Sequence, residues 1–298
     1  MKVLVTGGCG FIGSHLVDEL VRQNYTVTVI DNLSTGNIEN LNPKAIFYQR
    51  DIRDYESIKK YFIDKSVVFH LAALPKIQPS FVDPILHEEV NVIGTINCLL
   101  ASKNHGIKKF IFSGSSSVYG NTDDIPTSES SSINCLNPYA LQKYTAEQYC
   151  FILGKKYDLP VVSLRYFNPY GPRSFNSKNP YNAYTSVVGI FNYQSKTTKT
   201  LTVTGSGKQS RDFIHIYDLI QASVLASRKK IKNEIINIGF GKSISVNQLA
   251  SYFKCKISYI PERKGEALIT CASISKAKKL LNWEPKIDLK YAIDEEIL

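Results

Sequence analysis

Tyr139 and Lys143 stand four residues apart in the stretch YALQK, a spacing that puts both side chains on one face of a helix. A positive charge beside a phenol stabilises the phenolate and lowers the tyrosine pKa. A tyrosine so placed can exchange a proton with a substrate hydroxyl near neutral pH. Ser115, in the run SGSSSVYG, could reach the same hydroxyl and relay the proton. Taken singly, each motif allows an ordinary alternative: an i,i+4 pair on an exposed helix, or a polar loop. A third feature upstream sets those alternatives aside. Gly7, Gly10 and Gly13 fall three apart, and Asp31 closes the apolar run that follows. Glycines permit a tight turn and let backbone N–H groups approach a pyrophosphate, and a helix N-terminus adds partial positive charge. An acid about 20 residues beyond the glycines can accept hydrogen bonds from an adenosine ribose. A carboxylate there repels a 2′-phosphate, and residues 32–34 contain no Arg or Lys. NAD is therefore favoured over NADP.

These residues need elements to hold them. Residues 2–6 are a short β-branched run, and Ile12, Leu16, Val17 and Leu20 recur at helical spacing. Residues 26–30 are a second apolar run, so the glycines lie in a strand–turn–helix–strand context, the setting this motif requires. Further strands are expected at 45–49, 67–71, 109–112 and 160–164. Helices are expected at 54–62, 84–105 and 139–157. Strands alternating with helices predict parallel βαβ units. From Arg165 onward the pattern loosens: strands are expected at 200–203 and 235–238, helices at 216–227, 246–253 and 273–281, and residues 176–184 read as loop. The expected fold is α/β, a Rossmann-type doubly wound parallel sheet with a smaller C-terminal α/β lobe. Its division is 1–165 for the dinucleotide and catalytic groups, and 166–298 mainly for substrate, with some segments returning to the first unit.

The 298 residues are 43% hydrophobic, enough for a full core. Cys9, Cys98, Cys135, Cys150, Cys255 and Cys271 are scattered without a C-x-x-C pair. Reduced thiols in a cytoplasmic setting fit better than disulfides, and no metal site is expected. The first residues do not read as a signal peptide, and no apolar stretch is long enough to span a bilayer. The formal charge of +10 is spread out apart from short runs. That argues against nucleic-acid binding and fits a surface that attracts an anionic nucleotide.

TGGCGFIG, DNLSTG, HLAAL, SGSSSVYG, YALQK and RYFNPYGPR occur in order, followed by GSGKQSRDFIHIYD and SISKAKKLLNWEPK. Over essentially the whole chain this series resembles the extended short-chain dehydrogenases/reductases, specifically the nucleotide-sugar epimerase/dehydratase group. The resemblance implies that Gly7, Gly10, Phe11, Ile12 and Gly13 contact the NAD pyrophosphate. It implies that Asp31, Asn32, Ser34 and Gly36 hold the adenosine ribose, and that Asp51 and Ile52 flank the adenine. Leu71, Ala72, Ala73, Asn91 and Ser113 would serve the middle and nicotinamide side, with Phe167 against the nicotinamide. Ser115, Tyr139 and Lys143 match the catalytic trio. Asn168, Arg211 and Arg263 match positions that hold the sugar-nucleotide phosphates; a surface ion pair with Asp212 or Glu262 is the plainer reading of the arginines. Lys76 would stand in for a basic residue that many relatives carry near position 79. A fuller final helix than the residues after WEPK provide is also usual in the group.

Within that group, 4,6-dehydratases and UDP-glucuronate decarboxylases usually carry an acid just before Val-Tyr-Gly. Here Ser116 and Ser117 occupy that stretch. This points to 4-epimerisation of a UDP-sugar over those two reactions, and an intact Ser115, Tyr139 and Lys143 set it above a non-catalytic NAD-binding sensor. In similar epimerases the residue six before the Lys of S-K-A bounds the sugar pocket. Counting back from Lys276 gives Thr270, small enough to admit a 2-acetamido group. Ala183 and Tyr184 lie in a stretch resembling members that act on N-acetylated sugars. UDP-GlcNAc/UDP-GalNAc is the expected pair, with UDP-glucose/UDP-galactose beside it. The helices at 84–105 and 139–157 match those that pair in the group's dimers, so a homodimer is expected.

Overall fold

The computed structural model describes residues 1–175 and 186–298. In chain order its elements are β1 (Lys2–Thr6), α1 (Phe11–Arg22), β2 (Thr26–Asp31), β3 (Ile46–Gln49), α2 (Tyr55–Ile58), β4 (Val67–His70), α3 (Ile77–Val82), α4 (Pro84–Glu88), α5 (Gly94–Asn104), β5 (Lys109–Ser115) and α6 (Pro138–Lys156). There follow β6 (Val161–Tyr166), α7 (Val187–Lys196), β7 (Thr200–Thr204), β8 (Ser210–Asp212), α8 (Ile216–Arg228), β9 (Glu234–Ile238), β10 (Ser243–Ser245), α9 (Val246–Tyr252), β11 (Lys256–Ile260), α10 (Ser275–Leu281) and α11 (Leu289–Asp294).

Seven strands form one parallel sheet in the order β3-β2-β1-β4-β5-β6-β9. Alternation along each strand feeds two cores, one per face. Val3 and Val5 of β1 and Phe69 of β4 face the α1 and α8 side. Leu4 and Val68 face the side of α2, α5 and α6. The strand order reverses between β1 and β4, which opens a crevice at their carboxyl ends. β9 comes from the C-terminal third of the chain yet completes this sheet. β8–β10 and β7–β11 form two small two-stranded sheets near the same end, packed on a separate core around Phe191, Leu201 and Leu249.

The helix expected over 84–105 is interrupted. A π-turn at Glu89–Ile93 separates α4 from α5. Its Asn91 turns inward to the 71–75 loop, and the Thr95 hydroxyl donates to the Asn91 carbonyl at 2.7 Å. α6 begins as the sequence suggests, with the Asn137 side chain accepting from the Ala140 N–H and Pro138 in the first turn.

Candidate active site

A cavity of about 830 Å³ runs from the crevice between β1 and β4 to the two small sheets. Its first half is built from backbone. Gly7 has φ of 73°, and a Cβ there would lie 2.6 Å from the Ala72 nitrogen. A Cβ on Gly13 would sit 2.0 Å from the Gly7 carbonyl oxygen, so α1 can approach β1 only because that position is glycine. A Cβ on Gly10 would meet nothing nearer than that same oxygen at 3.3 Å, because Gly10 faces the cavity. Among the described residues no side chain caps α1, and Phe11, Ile12 and Gly13 of its first turn line the cavity. Together these groups make an anion cradle.

Asp31 is 7% exposed, and its carboxylate accepts from the Cys9 N–H at 2.9 Å and the Leu33 N–H at 2.8 Å. Burial pushes its pKa up, and the two N–H donors pull it back. Gly36 makes room for it, since a Cβ there would lie 3.1 Å from both carboxylate oxygens. Asn32, Ser34 and Ile52 line the wall. Asp51 is engaged by Arg53 at 2.9 Å and Asn32 at 3.0 Å.

Leu71, Ala72 and Ala73 form the wall after β4. Asn91 lies behind them, 2% exposed; its oxygen accepts from the Leu74 N–H at 2.8 Å, and its amide nitrogen donates to the Leu74 carbonyl at 3.2 Å. Sequence reasoning missed what supports it. The Thr95 proton is spent on Asn91, so His70 Nε2–H donates to Thr95 at 2.9 Å, and Thr6 donates to His70 Nδ1 at 2.7 Å. Burial and the Lys143 charge push the His70 pKa down to about 3. The signal was present as the His of HLAAL.

Ser115, Tyr139 and Lys143 meet at the middle of the cavity. Ser115 and Tyr139 share that wall, and the Ser115 hydroxyl lies 2.8 Å from the Ser117 hydroxyl. The Tyr139 N–H donates to Ser80 at 3.1 Å. Sequence reasoning had Lys143 lowering the Tyr139 pKa. Here burial raises it and Ser115 offsets part of the rise. Lys143 Nζ instead lies 4.3 Å from the Phe112 ring centroid. Burial pushes Lys143 down to about 8, against the pull of Cys150 and Glu147. Behind it Glu147 accepts from Ser163 at 2.6 Å and forms a buried ion pair with Arg165. Ser113 lines the wall beside Tyr166. Phe167 is 1% exposed and packs with Val118, Tyr119 and Ala272, behind the wall where a nicotinamide contact was expected.

The second half is built from side chains. Lys76, Asn168, Arg211, Arg263 and Thr270 all line it. Asn168 donates to the Asp212 carbonyl at 2.9 Å and to the Thr270 hydroxyl at 3.1 Å. Arg211 donates to the Ser210 carbonyl at 3.0 Å and faces Glu266 at 3.4 Å, so its ion pair is with Glu266 and not with Asp212 or Glu262, the partners of the plainer reading. Burial lowers the Arg211 pKa and Glu266 opposes that. Burial, then the charge of Arg263, lowers Lys76. Ala183 and Tyr184 lie outside the described residues.

The first half fits a dinucleotide on three counts: a cradle that any Cβ at Gly7 or Gly13 would fill, an uncapped helix N-terminus, and a buried carboxylate at the end of β2. The class is thus a dinucleotide-binding α/β protein with a Ser–Tyr–Lys centre. The chain belongs to the NAD dependent epimerase/dehydratase family, whose model matches residues 3–239. A crystal structure of UDP-glucose 4-epimerase with UDP-glucose, from Thermotoga maritima, is 38% identical with a TM-score of 0.93, covering 98% of this chain and 96% of that one. A UDP-N-acetylglucosamine 4-epimerase from Methanobrevibacter ruminantium, in complex with UDP-N-acetylmuramic acid, is 35% identical with a TM-score of 0.90, covering 99% and 98%. A UDP-glucuronic acid 4-epimerase from Bacillus cereus, in complex with a fluorinated UDP-glucuronic acid and NAD, is 33% identical with a TM-score of 0.91, covering 100% and 98%. The cofactor is NAD. Among the described residues no helix is long and apolar enough to cross a membrane, and no group of three or more His, Cys, Asp or Glu could hold a metal ion.

Proposed function

We propose that the protein interconverts UDP-GlcNAc with UDP-GalNAc and UDP-glucose with UDP-galactose by inverting C4. The observation that carries the reaction type is the hydroxyl pair at the centre. Ser117 stands 2.8 Å from Ser115, and residues 113–120 contain no carboxylate to move a C5 proton or a C6 hydroxyl. The observation that carries the sugar range is Thr270, a small residue on the wall beside Asn168.

Tyr139, as phenolate, takes the proton of the sugar 4-OH, with Ser115 as the relay between them. Bound NAD would supply a reversible hydride acceptor for C4 of the sugar. Lys143 would hold the ribose on the nicotinamide side, and a positive charge on this wall favours the phenolate. Arg211, Arg263 and Lys76 hold the diphosphate while the 4-keto sugar turns about it and presents its other face. Tyr139 then returns the proton. Gly7, Gly10, Phe11, Ile12 and Gly13 bind the pyrophosphate of NAD, and Asp31 its adenosine ribose.

The same reading includes a homodimer in a cytoplasmic setting. Val82 is 86% exposed, Ile85 73%, Ile152 64% and Leu141 55%. All four lie on α3, α4 and α6, which pack on one another; exposed apolar side chains grouped on adjoining helices suit association. The joint variant Ile85→Lys, Ile152→Lys should halve the mass measured by light scattering.

Incubation of the purified protein with UDP-GlcNAc, and separately with UDP-glucose, without added NAD, tests the activity. NMR should show the C4 epimer of each. A 4-keto-6-deoxy product would overturn the argument from the serines. Thr270→Tyr should remove activity on the acetamido sugar; unchanged activity would overturn the pocket assignment.

A further inference from the structure

Asp212 does not line the cavity, and it is 0% exposed. Its carboxylate accepts three backbone N–H groups, from Phe240 at 2.7 Å and from Gly241 and Ala272 at 2.9 Å each. Among the described residues no ion pair meets it, so these donors carry the compensation that a buried carboxylate needs. The fit is close. A Cβ on Gly239 would lie 2.9 Å from the Asp212 carboxylate and 2.6 Å from the Ala272 Cβ.

The peptide groups of Asp212 face the other way. Its N–H donates to the Thr270 hydroxyl at 3.3 Å, and its carbonyl accepts from the Asn168 amide at 2.9 Å. The same amide donates to Thr270 at 3.1 Å. Asn168 sits at φ of 36°, a left-handed conformation that the surroundings must hold in place. Both acceptor sites of the Thr270 oxygen are therefore occupied, by Asn168 and by Asp212. A hydroxyl has one donor and two acceptor sites, so Thr270 is left as a donor on the cavity wall.

We propose that Asp212 is the positioning residue of the substrate end: it ties together the segments that carry Asn168, Arg211 and Thr270, and it fixes the Thr270 hydroxyl as a donor toward an oxygen of the bound sugar. This rests on the reading of that end as the UDP-sugar site. It goes beyond that reading by assigning the geometry to a residue that touches no ligand.

The test compares Asp212→Asn, Thr270→Val and Thr270→Ser in the NAD-loaded protein, by steady-state kinetics on UDP-glucose and UDP-GlcNAc and by the NAD content of each purified chain. Asp212→Asn turns one acceptor oxygen into a donor facing N–H groups. It should raise KM for both sugars at least about tenfold, with NAD content unchanged and kcat within about threefold. Thr270→Val should raise KM in the same direction, and Thr270→Ser should restore it. Unchanged KM in Asp212→Asn and Thr270→Val would overturn the proposal, as would a parallel fall of NAD content and kcat in a folded Asp212→Asn. If Asp212→Asn does not fold, the Thr270 pair decides, with equal KM for Val and Ser overturning it. If the wild type turns over neither sugar, the functional reading fails, and UDP affinity by calorimetry then separates the two ideas. Weaker UDP binding by Asp212→Asn supports the positioning role, and equal binding or no binding overturns it.

Discussion

The two ends of the cavity are made differently. At the cofactor end, Gly7, Gly10, Gly13, Asp31 and Gly36 fall within thirty residues of chain and act mainly through backbone, close approach and one carboxylate. At the end assigned above to the substrate, Lys76, Asn168, Arg211 and the stretch carrying Arg263 and Thr270 come from four separate segments and present side chains held by long-range polar contacts. The first kind of site is specified by a turn and two strands. The second exists only once the sheet has closed and the small sheets have packed beside it. The cofactor end should therefore fail through sterics and the substrate end through lost polar contacts.

Gly13→Ala gives the largest contrast. Its Cβ would lie 2.0 Å from backbone, which cannot yield as a flexible side chain would. The variant should purify without NAD and show no epimerase activity, while calorimetry should still detect UDP. Retained NAD would break the distinction between the ends. Next comes Tyr139→Phe, at the junction. General acid–base groups contribute roughly 10²- to 10⁴-fold, and kcat should fall by that order. NAD content and KM should change little, because the ring still packs where Tyr139 does. A loss confined to KM would move Tyr139 from proton transfer to binding.

This contrast also explains what could be seen in the sequence. The glycine spacing and Asp31 carry their geometry with them, so strand, turn, helix and acid were legible at once. The alternating apolar runs of β1, β4 and β5 likewise announced a sheet buried on both faces. β8 and β10 are three residues each, and β11 is exposed along nearly all its length. Such strands have no periodicity to read, since pairing rather than burial makes them. α3 was hidden by the proline in IQPSFV. The interruption of the long helix was invisible because the π-turn is stabilised by Asn91 reaching Leu74, a contact that spacing does not encode. At the site, Ser115, Tyr139 and Lys143 were found through their motifs. What spacing does not encode is the burial of Tyr139, which raises the phenol's pKa against the pull of Ser115.

Arg211→Lys sharpens the comparison from the other end. Guanidinium reaches the Ser210 carbonyl and Glu266 together and keeps further donors for a diphosphate. Lysine cannot reproduce that fork. KM for the UDP-sugar should rise about tenfold, the cost of one charged hydrogen bond, while NAD content stays at the wild-type level. A fall in NAD content would show that the two ends share their supports more than their contacts suggest.

The smallest effect is one of pH, and it asks whether the cofactor end has a side-chain support of its own. His70 is 1% exposed and bridges Thr6 of β1 to Thr95 of α5. Burial and the Lys143 charge lower its pKa from 6.5 to about 3. A base with a lowered folded pKa contributes stability that is present above its unfolded value and lost as pH falls toward the folded one. Between pH 6.5 and 3 the unfolded chain binds the proton first, so His70 should make the fold less stable by about 1 kcal/mol for each pH unit below 6.5. His70→Asn keeps a neutral polar side chain and removes the titration. Denaturant midpoints taken from pH 7 to pH 5 should fall less steeply in the variant than in the wild type, even if the variant is weaker at pH 7. Equal slopes would mean that His70 titrates alike in both states. The His70 bridge would then add no pH-dependent support to the wall behind Ala72, which Asn91 and Thr95 hold in any case.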